Sequence, residues 1–554
     1  MPLIKHRWSF FALLVITVLA CLPLLIHGPQ TGADFHLQLP WSYHFSQQFL
    51  NGELYPRWLS GMNAGAGAPT FFFYGPVAFH LTALTSAIMP ESLAAAQLGA
   101  GQFLGVFLSS LTFYLFASRH CKPVAAIAGA LFYALAPYHF SIDILFRQAF
   151  TESTAYIWLP LTLLFIDRMR TNRRYSAGLA ISYALLVMTH IPTALLASPF
   201  ILLYVLCQEK TTDSLTFLLH FAVSIVVGLL ISCCYIIPAL GLQEFIQARL
   251  WWTPYFNYQN WLFLDGKPFP NKELEALLTP IVSAYTALFA LASLVILWPG
   301  RARKFRLWFA MATFFAGGWF LMTPLSKLVW DWIPLLQKVQ FPWRAIVILD
   351  LAVAVAISLM VARAAKDRDS PFMVAVACII LSSVVCWVVW SLWQAYQPHR
   401  ELWVKPDSEA HLQAQAIYGT GARPHIPNFV KLDRNKFITT LPSDRVRLKD
   451  PQGIVEIISW EPRSIELEVT TKVASILMVK QIAFPGWRAR STAAGTVNLT
   501  PHNPSGLILI DLPPGQQKVS LELAPLWHEK LGWGATVLGL LLLPVLLSRV
   551  VKSP

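Results

Sequence analysis

The stretch Thr31–Pro76, "TGADFHLQLPWSYHFSQQFLNGELYPRWLSGMNAGAGAPTFFFYGP", follows one apolar run and precedes a long series of others. A connector between membrane helices has no use for an acid two residues from a histidine (Asp34, His36), an arginine held between aromatics ("YPRW", Arg57), or a glycine-alanine run ending in "TFFFYGP". The surrounding chain says what kind of loop this is. Of 554 residues, 56% are hydrophobic and only 13% are charged. Soluble domains carry roughly 25% charged residues, so most of the length is expected to be transmembrane. The net charge of +13 does not point to nucleic acid, because the basic residues sit in short loops between apolar runs, where they orient helices.

Apolar runs long enough to cross the hydrocarbon lie near residues 8–27, 93–118, 124–140, 153–168, 174–190, 192–208, 215–238, 279–298, 307–323, 345–363, 371–394 and 531–550. A shorter run covers residues 76–90. The first run lacks an A-x-A cleavage site and reads as an uncleaved span rather than a signal peptide. Basic clusters at Lys5/Arg7, Arg119/Lys122, Arg168–Arg174, Arg301–Arg306, Arg363–Arg368 and Arg549/Lys552 all fall on the cytoplasmic side if residues 76–90 form a re-entrant or interfacial helix. The expectation is therefore an α-helical polytopic membrane protein of about twelve spans, with both termini cytoplasmic. A thirteenth span arises if residues 76–90 cross.

Residues 395–528 differ. "GIVEIISWEPRSIELEVTTKVASILMVKQIAF" and "GLILIDLPPGQQKVSLELAP" alternate apolar and polar residues at period two, the pattern of a half-buried antiparallel sheet. The expected organisation is a transmembrane domain over 1–394 with a large first outer loop at 28–92, an extracytoplasmic all-β domain over 395–528, and a final helix and cytoplasmic tail over 529–554. The seven cysteines form no CxxC or ligand-spaced cluster, so neither a disulfide framework nor a zinc site is expected.

In this topology the chemically capable side chains share the outer side. They are Asp34, His36, Glu53, Arg57 and Tyr74 in the first loop; His139 at a span end; Asp143, Arg147 and Glu152 in "SIDILFRQAFTES"; His190 in "MTHIP"; and Gln340, Trp343 and Arg344 in "VQFPWR". Arginines grip phosphate oxygens, a carboxylate deprotonates a hydroxyl, and aromatic faces suit sugars and polyisoprene. Each residue also has a plainer role open to it. Asp34 could be a helix N-cap, and His190 a cap before Pro192. Arg57 and Arg344 could be interfacial anchors, Tyr74 part of an aromatic belt, and Arg147 with Glu152 a loop-stabilising pair. Asp143 and Glu53 are expected to be solvated. Asp350, inside a span, must face protein or water, and a hydrogen bond to a neighbouring helix is expected for it. The run "GMNAGAGAP" matches neither a P-loop nor a dinucleotide fingerprint; its small residues suit close backbone packing.

The order of motifs, from the first-loop acid through "YPRW", the Gly/Ala run, "TFFFYGP", "ALFYALAPYHF", "FRQAFTES" and "VQFPWR" to the "PGW" and "PPG" of the β-module, resembles the YfhO family of bacterial polytopic proteins. These are related to membrane glycosyltransferases of the GT-C fold. Relatives also carry a label tying them to 6-pyruvoyl-tetrahydropterin synthase, but no histidine triad of such an enzyme is visible here. The resemblance implies a bacterial cytoplasmic-membrane enzyme that takes a sugar from a polyprenyl-phosphate donor and passes it to a polysaccharide, lipid or protein acceptor of the envelope. It implies Asp34 as general base, with Arg57, Arg147 and Arg344 holding phosphate and Glu152 and His190 orienting substrate. Many GT-C enzymes have two adjacent first-loop acids. Here Asp34 is followed by Phe35 and His36, so no obligatory metal or other cofactor is expected. Two other classes stay open: a non-catalytic envelope scaffold, and a lipid or glycan transporter. The few charges within the spans count against transport.

Overall fold

The computed structural model describes residues 7–29, 32–208, 214–297, 305–366, a few positions between 378 and 393, 423–432 and 434–547. The span expected over 371–394 and the polar stretch 395–422 therefore lie largely or wholly outside the described residues.

The remaining apolar runs form helices. Among the described residues, seven are long and apolar enough to cross a membrane, or eight if the bent pair Phe305–Leu321 and Pro324–Trp332 counts as one span. The chain is thus a membrane protein, mostly helical, with fewer full-length spans among the described residues than the twelve expected. Besides the span expected over 371–394, the difference lies in length: Tyr175–Thr189 has 15 residues and Trp158–Met169 has 12. At a rise of about 1.5 Å per residue these reach roughly 22 and 18 Å, short of the ~30 Å hydrocarbon. Val77–Ser86, with ten residues, reaches only about 15 Å. The Ile346–Ala364 helix is buried on every side from Ile346 to Met360, so it runs through the middle of the bundle.

Among the described residues, nine strands form two antiparallel sheets. One has the order β1 (Val446–Leu448), β4 (Ser475–Ile482), β8 (Leu507–Leu512), β7 (Leu499–Pro501). The other runs β2 (Ile454–Glu461), β3 (Ser464–Thr471), β9 (Gly515–Leu523), β5 (Trp487–Ser491), β6 (Gly495–Val497). The alternation in sequence becomes alternation in space. In β9, Gln517, Val519, Leu521 and Leu523 point inward while Lys518, Ser520 and Glu522 point out. Ile465, Leu467 and Val469 of β3 join Leu477 and Val479 of β4 in one core.

That core continues into the first loop through Trp58, Ala66, Phe72 and Phe73. Here the glycine-alanine run finds its use. Asn63 and Ala64 have positive φ, turning the chain so that Ala66 O accepts from Ile482 N at 2.7 Å and Gly65 O from Gln481 Nε2 at 2.8 Å. Trp58 Nε1 donates to Gln481 Oε1 at 3.0 Å. A Cβ on Gly67 would stand 2.4 Å from the Trp58 ring, so only glycine lets the backbone pass between Trp58 and β4. The small residues serve packing against the β-module.

Candidate functional site

The site begins with a backbone seam. Ala33 N donates to Phe146 O at 3.2 Å and Asp34 N to Arg147 O at 2.9 Å. Gly32 fits because a Cβ there would lie 2.4 Å from Phe146 O. On the other strand of the seam, Pro137–Arg147 is a π-helix, a geometry often found at functional positions. It stops at Gln148, whose φ is 59°. The Gln148 side chain donates to Ile144 O and accepts from Gln102, which fixes the turn. Asp34 and Arg147 are thereby placed side by side by main chain alone.

Asp34 precedes the Phe35–Leu50 helix but makes no side-chain cap hydrogen bond. The residue keeps partial exposure. Burial pushes its pKa up; the Arg147 and Arg344 guanidiniums pull it part of the way back, and Glu152 adds to the rise. The carboxyl is thus held between burial and two guanidiniums and is not spent on a helix cap.

Around it lies an ion cluster. Arg147 Nη1 contacts Asp143 Oδ1 at 2.6 Å and Glu152 Oε2 at 3.1 Å. Arg344 Nε donates to Glu152 Oε2 at 3.2 Å and its Nη1 to Val339 O at 2.8 Å. Tyr138 OH donates to Glu152 Oε1 at 2.6 Å. The Trp343 ring lies under the Arg147 guanidinium at 4.6 Å and Phe341 under Arg344 at 4.9 Å. Burial works to raise Glu152, but Arg147 and Arg344 outweigh it and hold the carboxyl at about 2. Neither Arg147 Nη2 nor Arg344 Nη2 has an acceptor among the described residues. Two guanidiniums therefore keep donors to spare next to an uncommitted acid.

Two more expected residues border the cluster. Tyr74 OH accepts from Thr151 Oγ1 at 3.1 Å and from Gln38 Nε2 at 3.4 Å. Its ring packs on Trp41 at 4.8 Å. His190 ends the Tyr175–Thr189 helix and pairs through Nδ1 with Thr193 Oγ1 at 2.8 Å. Burial pushes it down to about 3, against the pull of Glu152, so it is neutral. His36, second residue of its helix, is partly buried. Gln340, at φ 68°, reaches Trp251 O with Nε2 at 3.3 Å.

Other sequence expectations do not meet at this place. Arg57, expected to hold phosphate, has its Nη1 on Glu529 Oε2 at 2.6 Å and its Nη2 on Cys234 O at 2.7 Å. Its charge is matched by the final helix, and its fork is filled. His139 is fully buried. Both ring nitrogens face backbone carbonyls, of Tyr133 and Ser153, at 3.1 Å, and the ring stacks on Tyr156; its place is structural. Asp143, expected in solvent, is fully buried against Arg147. Glu53 is partly buried and accepts from Gln48 at 2.8 Å. Asp350 accepts from Tyr156 OH at 2.5 Å, the inter-helix bond expected of it. Tyr138, Thr151 and Gln38 were not among the sequence candidates. Asp143 and Arg147, four residues apart, are the spacing of a helical ion pair, and that signal was available. No group of three or more His, Cys, Asp or Glu among the described residues is arranged to hold a metal ion.

No family model and no curated protein matches this chain. Solved structures do. A mycobacterial arabinofuranosyltransferase, AftD, aligns with TM-score 0.45 and 15% identity over 71% of this chain and 27% of its own. A second structure of it aligns with TM-score 0.48 and 14% identity over 95% of this chain and 42% of its own. The Archaeoglobus fulgidus oligosaccharyltransferase aligns with TM-score 0.44 and 15% identity over 76% of this chain and 57% of its own. This chain thus spans less than two thirds of the length of each.

Proposed function

We propose that this protein is a glycosyltransferase of the cytoplasmic membrane that moves a sugar from a polyprenyl-phosphate donor to an acceptor of the cell envelope. The observation that carries this is the seam that sets an uncapped, partly exposed Asp34 beside Arg147 and Arg344. In the proposed step Asp34 takes the proton of an acceptor hydroxyl. The oxygen attacks the anomeric carbon, and the bond from that carbon to the lipid phosphate oxygen breaks. Negative charge moves onto the departing phosphate, where the spare Nη2 donors of Arg147 and Arg344 stabilise it. Glu152 and Tyr138 keep the two guanidiniums in register, and Trp343 and Phe341 hold them flat against aromatic faces. The upward displacement of Asp34 favours its work as a base near neutral pH. No step calls for a metal.

The proposed orientation places the site and the β-module outside the cytoplasm, the side on which a flipped lipid-linked sugar is found, and both termini inside. A cysteine at Ser60 should then react with an impermeant thiol reagent, and one at Thr171 should not. The functional test is a comparison of envelope glycans from cells that lack the protein and cells supplied with wild type or Asp34→Asn. Wild type should restore a missing glycan and Asp34→Asn should not, at equal amounts in the membrane. Full restoration by Asp34→Asn would remove the catalytic assignment and favour a scaffold.

A further inference from the structure

A second recess stands apart from the Asp34 cluster. It is a cleft of about 1010 Å³ bounded by the end of the Phe35–Leu50 helix, the "YPRW" segment, the turn between β2 and β3, the end of β9, and the first turns of the Trp527–Leu547 helix. That volume is at the upper end of the roughly 300–1,000 Å³ of ligand sites. Its floor is built. Arg57 and Arg463 both bond Glu529, at 2.6 and 3.1 Å, and Glu529 also accepts from Leu526 N at 3.1 Å. Arg57 and Glu529 are nearly inaccessible. Tyr55 and Trp533 flank the Arg57 guanidinium at 4.4 and 5.5 Å. Two guanidiniums bond one carboxylate, and Glu53 interacts electrostatically with both. Nε of each arginine has no acceptor among the described residues. Lys530 adds a second positive charge to the wall.

The same wall carries Glu53, Glu461 and Glu522. A plain anion would meet three carboxylates there, and a plain cation would meet Arg463 and Lys530. A neutral sugar would leave both sets unanswered. The lining suits a ligand that bears both signs. Its position adds the second half of the argument. The Trp527–Leu547 helix is one of the seven candidate spans, and Trp527, Leu531 and Trp533 on its first turns are substantially exposed. Exposed tryptophans at the end of a span mark the headgroup level of a bilayer. A cleft walled by Trp533 opens at that level.

We propose that this cleft binds the headgroup of a zwitterionic, amine-bearing phospholipid: Arg463 and Lys530 take the phosphate, and the glutamates of the wall take the ammonium. The bound lipid would tie the β-module and the first loop to the final helix, away from the transfer chemistry.

The test uses the full chain in mild detergent and native mass spectrometry, titrated with dihexanoyl phosphatidylethanolamine, dihexanoyl phosphatidylglycerol and soluble glycerophosphoethanolamine. The ethanolamine lipid should bind at least tenfold more tightly than either of the others. Lys530→Glu should weaken it at least tenfold. Glu461→Gln combined with Glu522→Gln should remove its advantage over the glycerol lipid. All three side chains are exposed, so the fold should tolerate these changes, and an unchanged melting temperature checks it. Equal or tighter binding of phosphatidylglycerol overturns the proposal, as does a folded Lys530→Glu that binds like wild type. Equal binding of the soluble headgroup overturns the lipid assignment. The same titration on Asp34→Asn should match wild type, so this inference and the transferase assignment stand or fall separately.

Discussion

Glu152→Gln isolates the carboxylate that holds the two site arginines together. In the native chain its oxygens accept from Arg147, Arg344 and Tyr138 at 3.1, 3.2 and 2.6 Å, and the side chain is 1% exposed. A carboxyl held at about 2 instead of 4.5 is stabilised in the folded chain by roughly 3 kcal/mol. A second route gives a similar size. Without the negative charge, Arg344 keeps only the Val339 carbonyl and the face of Phe341, and stranding one partner of a buried pair costs about 3–5 kcal/mol. Glutamine retains one acceptor, so about 3 kcal/mol is expected, or roughly 3 °C in melting temperature for a chain of this size. The sign with pH follows. The native pKa lies below the unfolded one, so this stability is fully present above about 4.5 and is lost as pH falls toward 2. Thermal melts of both proteins in one detergent should differ fully at pH 7 and by about 1 kcal/mol less at pH 3.5. A gap below about 0.5 kcal/mol, or one that does not narrow in acid, would refute the reasoning.

Asp34→Asn should leave the melting temperature nearly unchanged, because no cap bond is lost, while lowering transfer by about 100-fold or more. Arg57→Ala leaves buried Glu529 with only the longer bond from Arg463 and the Leu526 amide; it should cost about 3–5 kcal/mol, read as a lower melting temperature and less protein in the membrane, with turnover of the folded fraction intact. Gly75→Ala drives a Cβ to 2.3 Å from Thr189 O. Backbone cannot yield there, so about 1–3 kcal/mol should be lost, with transfer falling as Tyr74 shifts. His190 lies below its usual pKa and is neutral; the unfolded chain binds a proton there first, so stability falls as pH drops from about 6.5 toward 3, and His190→Gln should flatten that part of the melting-temperature profile.

What the sequence made legible depended on the range of the interaction behind it. Period-two alternation marks a strand with one buried face, so the sheet strands within 454–482 and 507–523 were visible as local pattern. Hydropathy located the apolar helices but not their lengths, since a 15-residue helix walled by protein is as apolar as a span. The arginines show the limit most clearly. Arg57 and Arg147 both sit among aromatics in sequence, between Tyr55 and Trp58 and between Phe146 and Phe150. One binds a glutamate 472 positions away and the other an aspartate four positions away. The near pair had a sequence signature and the far one had none. The same holds for His139, whose neighbours in "APYHF" give no hint of the two carbonyls that enclose it.

The first loop is held at three places by three kinds of force. Its start is joined to residues 146–147 by backbone hydrogen bonds, which depend on no side-chain charge. Its middle is held by the buried Arg57–Glu529 pair, which depends on charge. Its glycine-alanine turn is locked onto β4 by Gln481 and Ile482 and by the absence of side chains where Trp58 passes. The seam therefore fixes where Asp34 stands relative to Arg147, whereas the other two attachments fix how the loop and the β-module stand relative to the final helix. Changes at Arg57, Gly67 or Gln481 should act on stability while the seam keeps the site assembled. Changes at Gly32, where a Cβ meets Phe146 O, act on the seam itself and reach Asp34 without touching its carboxyl.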